Sequence, residues 1–304
     1  MDLKDKDKLK DRLNNQAEKK NLPAVTVKSL LSNEAVKKRF EEILGAKAAG
    51  FIASVINVTN TNRELAACDP HSVVAAAATA ATLDLPIDPN LGFAAIIPYD
   101  GKEGKKAQFQ VQWKGFAQLS IRTGLYSTMH VSEVYEDELA SYNPLTGDVT
   151  FTDPSTWKHR AAGKTDKIIG YYAFFRLANG FSKGLYMTIA ELEAHGKRYS
   201  KSYNNPKGMW KKDPHFMYRK TIIKLLLKTW GIMSIDIQRA MKADQAVIYN
   251  ESLDETGAIE YVDGADGDIQ AEYSFSEEES RKFDQELAEQ EAGGLFEFDR
   301  EKEK

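Results

Sequence analysis

The chain has 304 residues, 42% hydrophobic and 10% aromatic, enough for one large domain or two small ones and too apolar for a chain disordered throughout. A single cysteine, Cys68, excludes an internal disulfide and a cysteine-based zinc cluster and fits a reducing cytosol, while no apolar leader and no run of ~18 apolar residues points to secretion or a membrane. The net charge of −4 is split between a basic body, residues 1–243 at net +11, and an acidic tail, residues 244–304 at net −15, an arrangement that suits a polyanion partner or, more plainly, a charged surface with a solubilising tail.

Met1–Asn21 is almost wholly charged and polar, so residues 1–25 are expected as a flexible arm. Ser32 reads as the N-cap of a helix carrying Phe40, Ile43 and Leu44, with Gly45 as its stop. Residues 46–59 read as a second helix. Asp69 and Pro70 open a third, HSVVAAAATAATL, with Asp as cap and Pro in the first turn. These Ala-rich helices must pack against something, either the core or a neighbouring subunit.

At residue 93 the pattern changes. FAAIIP (93–98) and AQFQVQW (107–113) form a hairpin around Asp100-Gly101 with a basic tip, Lys102–Lys106. In the second strand Gln108, Gln110, Gln112 and Lys114 alternate with Ala107, Phe109, Val111 and Trp113. A face that is amide-bearing and nearly uncharged suits a surface covered by a polar partner, or by another subunit. A short helix over 115–123 follows and carries Arg122. Further strands are expected at 127–138 and 148–152, and a hairpin at 168–178 and 181–188 turns on Asn179-Gly180. Thr188 and Glu191 make a capping box for a helix over 188–203; 213–231 is a second strong helix, and IDIQRAMKAD a short third. Helices, then an antiparallel sheet, then helices define an α+β core over 26–243. The tail, 244–304, is expected to be disordered, with a small acidic helix over 277–290 and Phe296 and Phe298 near its end.

The motifs that carry chemistry are few. Gly101-Lys-Glu-Gly-Lys-Lys lacks the phosphate-loop spacing and sits in a hairpin. The five histidines are scattered, so no metal site is expected. Glu133, Glu136, Asp137 and Glu138 cluster at a strand end, where a metal nuclease could use them and where solvated acids are also common. Cations and rings are dense instead. Trp157–Lys242 holds 18 Lys and Arg against 5 Asp and Glu. Lys220, Lys224 and Lys228 recur every four residues and form one helical stripe, either a phosphate ladder or a solvated face. Lys197, Arg198, Tyr199, Lys201 and Tyr203, then Lys207, Trp210, Lys211 and Lys212, interleave cations with rings that either stack on bases or belong to the core.

The run LDLPIDPNLGFAAIIPYDG, with AQFQVQWKGFAQLSIRTG after it, resembles the central signature of the RecT/Redβ single-strand annealing proteins of phages and prophages. HFMYRKTIIKLLLKTWG resembles that family's Met-x-x-Lys-Thr helix, here Met217, Lys220 and Thr221. The resemblance covers about residues 30–243. It implies a Rad52-like core that anneals complementary strands without ATP, as rings or helical filaments, in a bacterial host. It also implies a partner exonuclease and a host single-strand-binding protein, for which the acidic tail is the expected contact. No cofactor is expected, with Mg²⁺ as counterion only. The expected DNA-binding set is Gln108, Gln110, Gln112, Lys114, Arg122, Lys197, Arg198, Tyr199, Lys201, Tyr203, Lys211, Lys212, Lys220, Lys224 and Lys228, none of them catalytic. Arg122 and Lys220 are expected to be dispensable for folding. A passive single-strand binder, a metal nuclease and a purely structural filament are the alternatives.

Overall fold

A computed structural model describes residues 25–101, 104–206, 208–244, 246–249 and 258–261. The N-terminal arm, Lys102 and Glu103 at the tip of the first hairpin, and the expected acidic helix with Phe296 and Phe298 lie outside the described residues. The fold is α+β, with antiparallel sheets and helices packed on them.

Five helices come first: α1 (Val27–Leu31), α2 (Glu34–Leu44), α3 (Ala48–Thr61), α4 (Arg63–Ala66) and α5 (Pro70–Thr82). Ser32 does not cap α2. Asn33 does, accepting from the Ala35 N–H at 2.9 Å, because a separate first turn, α1, already uses Ser32 at its C-terminal end. Gly45 stops α2 in a left-handed conformation, φ 55°, as a glycine can. Asp69 caps α5 through both carboxylate oxygens, to the N–H groups of His71 and Ser72. Ala76, Ala77, Ala80 and Ala81 of α5 are buried, so its Ala-rich face is core. The small side chains let α5 approach β2 (Gly104–Val111) closely enough for Ser72 Oγ to accept the Ala107 N–H at 2.8 Å. By contrast Phe51, Ile52 and Ile56 of α3 are only half-buried.

β2 pairs with β1 (Ala94–Gly101) in a hairpin whose register runs from Ala94 opposite Val111 to Gly101 opposite Gly104. Its other edge takes β8 (Ala246–Tyr249), followed by β9 (Ala258–Tyr261), giving the order β1-β2-β8-β9. The compositional boundary at 243/244 therefore falls just ahead of two strands that complete this sheet. Charge density had marked the end of the basic segment, whereas backbone pairing carries the fold on to Tyr261. Ala107, Phe109 and Val111 point into the core. From there the chain enters α6 (Trp113–Arg122), where Gly115 lies so close to the Phe93 carbonyl that no Cβ would fit.

A second sheet has the order β3-β6-β7: β3 (Tyr126–Tyr135), β6 (Ile168–Leu177) and β7 (Ser182–Thr188). Between β3 and β6 an unexpected strand, β4 (Leu139–Asn143), pairs with β5 (Asp148–Phe151) as a separate hairpin. The capping box holds: Thr188 Oγ1 accepts the Glu191 N–H at 3.2 Å and Glu191 accepts the Thr188 N–H at 2.8 Å, starting α7 (Ile189–Tyr199). A short α8 (Met209–Lys212) leads to α9 (Pro214–Trp230), capped by Asp213, and α10 (Ile235–Ala243) follows. α9 buries Met217, Tyr218, Ile222, Ile223, Leu226 and Leu227 against β6, whose Tyr171, Ala173 and Phe175 face it with no exposed surface. Each buried Met, Ile, Leu and Phe among them contributes about 1.5–3 kcal/mol relative to an exposed one.

Candidate nucleic-acid interface

The lysine stripe on α9 exists, but it faces inward. Lys220 is 3% exposed, and its ammonium donates to Asp244 Oδ1 at 2.8 Å. Lys224, half-buried, donates to the other oxygen at 3.1 Å. Asp244 Oδ1 also accepts the Val111 N–H at 3.0 Å, so one fully buried carboxylate joins α9, the end of α10 and strand β2. Burial pushes the Asp244 carboxyl up, but the two ammonium groups outweigh it and hold it below the ordinary carboxylate range. Lys228 continues the stripe as a half-buried side chain. Met217 and Thr221, the other two positions of the signature helix, are buried as well. The signature therefore marks a packing site: residues at i, i+3 and i+4 share the face that meets the core.

Arg122 also has a structural partner. Its guanidinium donates to the Leu83 carbonyl at 2.9 Å and the Asp84 carbonyl at 2.7 Å, closing the C-terminal end of α5. Asp84 adopts a left-handed φ of 47°, and Lys47 holds its carboxylate at 3.0 Å. The expectation that Lys220 and Arg122 are free of the fold is thus corrected. Their partners lie 24 and 38–39 residues away in sequence, beyond the reach of periodicity.

The amide strand is less open than alternation suggested. Gln108 and Gln112 are buried, Gln110 is half-buried, and Lys114 is exposed beside the Trp113 ring. β2 is an inner strand, between β1 and β8. Gln108 Oε1 is buried with no hydrogen-bond partner among the described residues.

The α7–α8 region does gather the predicted cations and rings. Tyr203 is buried against Trp210, with ring centroids 5.4 Å apart, and Trp210 meets Tyr218 at 6.1 Å. Lys197 and Lys211 stand over the Tyr203 ring at 5.9 and 4.6 Å. Arg198 lies over half-buried Tyr199 at 5.1 Å, and His195 packs on the same ring. The side chains of Lys197, Arg198, Lys201, Lys211 and Lys212 are exposed. Tyr203 and Trp210 are therefore core rings that position cations. Desolvation by burial is the first cause that pushes the neighbouring Tyr218 phenol up to about 12.

The acids at the end of β3 are engaged. Arg160 forks onto Glu138 at 2.5 and 2.8 Å, and Arg219 donates to Glu133 at 2.8 Å. Asp137 accepts the N–H groups of Lys158 and His159, and Glu136 pairs with Lys167 at 3.3 Å. The Arg219 contact ties α9 to β3, and the others fasten the 152–167 connection to the β3–β4 turn. No group of three or more His, Cys, Asp or Glu side chains is gathered as a metal site among the described residues.

The body built around the Asp244 junction is also what comparison with known proteins matches. The RecT family model aligns with residues 49–259, from α3 through the sheet to β9. The chain belongs to the RecT family. It is 40% identical over 276 residues to the uncharacterized protein YqaK of Bacillus subtilis (strain 168), covering 89% of this chain and 92% of that one. It is 29% identical over 183 residues to protein RecT of Escherichia coli (strain K12), covering 59% and 64% of the two chains. RecT membership supports a general role in single-strand annealing recombination, with single-stranded DNA and self-association as the interactions it implies. The matched span ends at 259, past the compositional boundary and in agreement with the pairing of β8 and β9. Asp244 is the residue the sequence reading missed. No local signal marks it, since Asp236 stands between it and the three lysines in the sequence.

Proposed function

We propose that this RecT-family chain is an ATP-independent annealing protein that binds single-stranded DNA and the nascent duplex and works as a homo-oligomer, ring or filament. The observation that carries the proposal is the family match over residues 49–259, which takes in Lys114 and the lysines of α7, α8 and α9. Exposed Lys114, Lys197, Arg198, Lys201, Lys211 and Lys212 support it, because lysines that neutralise phosphates release counterions and need no base sequence. Annealing is downhill, so the chain itself needs no cofactor and performs no covalent step, with Mg²⁺ as counterion only. A Rad52-like core, a phage-type setting in the bacterial cytoplasm, and contacts of the acidic tail with an exonuclease and a host single-strand-binding protein complete the proposal.

The test is a fluorescence annealing assay with two complementary oligonucleotides, one of them pre-bound, in EDTA and without ATP. Pairing faster than that of the naked strands is expected. Slower pairing would identify a passive single-strand binder, and cleavage that appears only with magnesium would identify a nuclease.

A further inference from the structure

The β3-β6-β7 sheet has two faces, and α9 covers one of them. Cross-strand partners share a face, so the register fixes what the opposite face carries. Thr128, Arg176 and Ser182 form one row, His130, Phe174 and Gly184 the next, and Ser132, Tyr172 and Tyr186 a third. None of these positions holds a carboxylate. The third row is partly roofed by the β4–β5 hairpin: Tyr142 meets Tyr186 edge-on and Phe151 meets Tyr172 edge-on, both with centroids at 5.2 Å. The first two rows are open, with Thr128, His130, Arg176 and Ser182 exposed and Phe174 half-buried. Phe174 and Tyr172 are near-parallel, tilted by only 21° to each other with centroids 6.3 Å apart. Gly184 permits this, because a Cβ there would collide with the Tyr172 phenol. The Arg176 guanidinium stands over Phe174 at 5.7 Å.

We infer that this open sheet face binds single-stranded DNA, with a base stacked on Phe174 and the adjoining phosphate on Arg176. The inference rests on the single-strand reading above and adds to it a site outside the lysine clusters. Rings on a sheet, flanked by a cation and free of carboxylates, offer stacking to any base and attraction to the backbone. A second copy docking face to face would set Arg176 against Arg176, so the charge favours a polyanion.

The experiment is anisotropy of a labelled oligothymidylate titrated with the full-length chain and with Phe174→Ala, Phe174→Trp and Arg176→Ala, across a salt series. Phe174→Ala is expected to bind about 5- to 100-fold more weakly, with Phe174→Trp restoring affinity. Arg176→Ala is expected to flatten the salt slope by about 0.7. Arg176 is exposed, so its variant tests the site even if Phe174→Ala fails to fold. Unchanged affinity and slope in folded variants would overturn the inference while leaving the annealing proposal standing. Weaker binding accompanied by DNA-free dissociation of oligomers in sedimentation would also overturn it, and would make this face a contact between copies. A wild-type chain that does not bind the oligonucleotide would remove the underlying reading itself.

Discussion

Two lysine clusters lie within 30 residues of each other and have opposite fates. On α9, Lys220 and Lys224 close on Asp244, with side-chain exposures of 4% and 19% against 0% for the carboxylate. On α7 and α8, Lys197 and Lys211 stand in solvent over a buried tyrosine ring. The first cluster already has its anion, supplied by the chain. The second is held by an uncharged ring and keeps its charge available. Lysine density does not separate the two cases; the location of the counter-charge does.

The largest effect is expected from breaking the first cluster. Lys220→Ala leaves Asp244 buried with Lys224 and the Val111 N–H alone. Removing one member of a buried ion pair costs about 3–5 kcal/mol, a large share of the stability of an ordinary domain. A denaturant titration should show a lower midpoint, and single-strand affinity per folded molecule should hold. A folded, fully stable variant with weakened DNA binding would reverse the comparison and return Lys220 to the DNA site.

Acid sharpens the same contrast. The Asp244 carboxyl is held below its ordinary value in the folded chain, so its contribution is present above about pH 4 and is lost as pH falls through the depressed value. Glu133 behaves alike: burial pushes it up, but hydrogen bonds and Arg219 prevail, so wild-type acid sensitivity has at least these two sources. Asp244→Asn should therefore be less stable at neutral pH and should lose stability less steeply on acidification. An acid slope identical to that of the wild type, measured by chemical denaturation at several pH values, would show that Asp244 is not ionised in the fold.

The contrast also shows what the sequence made legible. Caps and turns act over three or four residues, so Asp69, Thr188 with Glu191, and Asn179-Gly180 placed their elements correctly. Ser32 misled because two caps stand side by side, and the better-placed Asn33 took the second helix. Strand β4 was missed since its LASYN sequence has no alternating apolar face. The amide face of β2 was read correctly as a face but not as a covered one, because alternation along one strand does not show what packs on it. Asp244 and the open side of the β3-β6-β7 sheet depend on the same kind of long-range pairing. Composition assigned Asp244 to the tail, and only the register brings Phe174, His130 and Gly184 into one row.

The smallest expected effect on stability belongs to the exposed cluster, and it completes the comparison. Cation–ring contacts at exposed sites are worth about 0.5–1 kcal/mol each, so Lys197→Ala combined with Lys211→Ala should lower stability by roughly 1–2 kcal/mol, well short of the Lys220 effect. Its larger consequence should be electrostatic. Each phosphate-contacting lysine lost takes about 0.7 from the slope of log affinity against log salt on single strands. If both lysines face phosphates, the slope should flatten by about 1.4, with the difference between variant and wild type shrinking as salt rises. Counterion release has this signature, and a general loss of folding does not, since unfolding would scale affinity alike at every salt concentration. A double variant whose salt slope equals that of the wild type would move Lys197 and Lys211 off the DNA path and leave the solvent-facing side of α7 and α8 as an ordinary solvated surface.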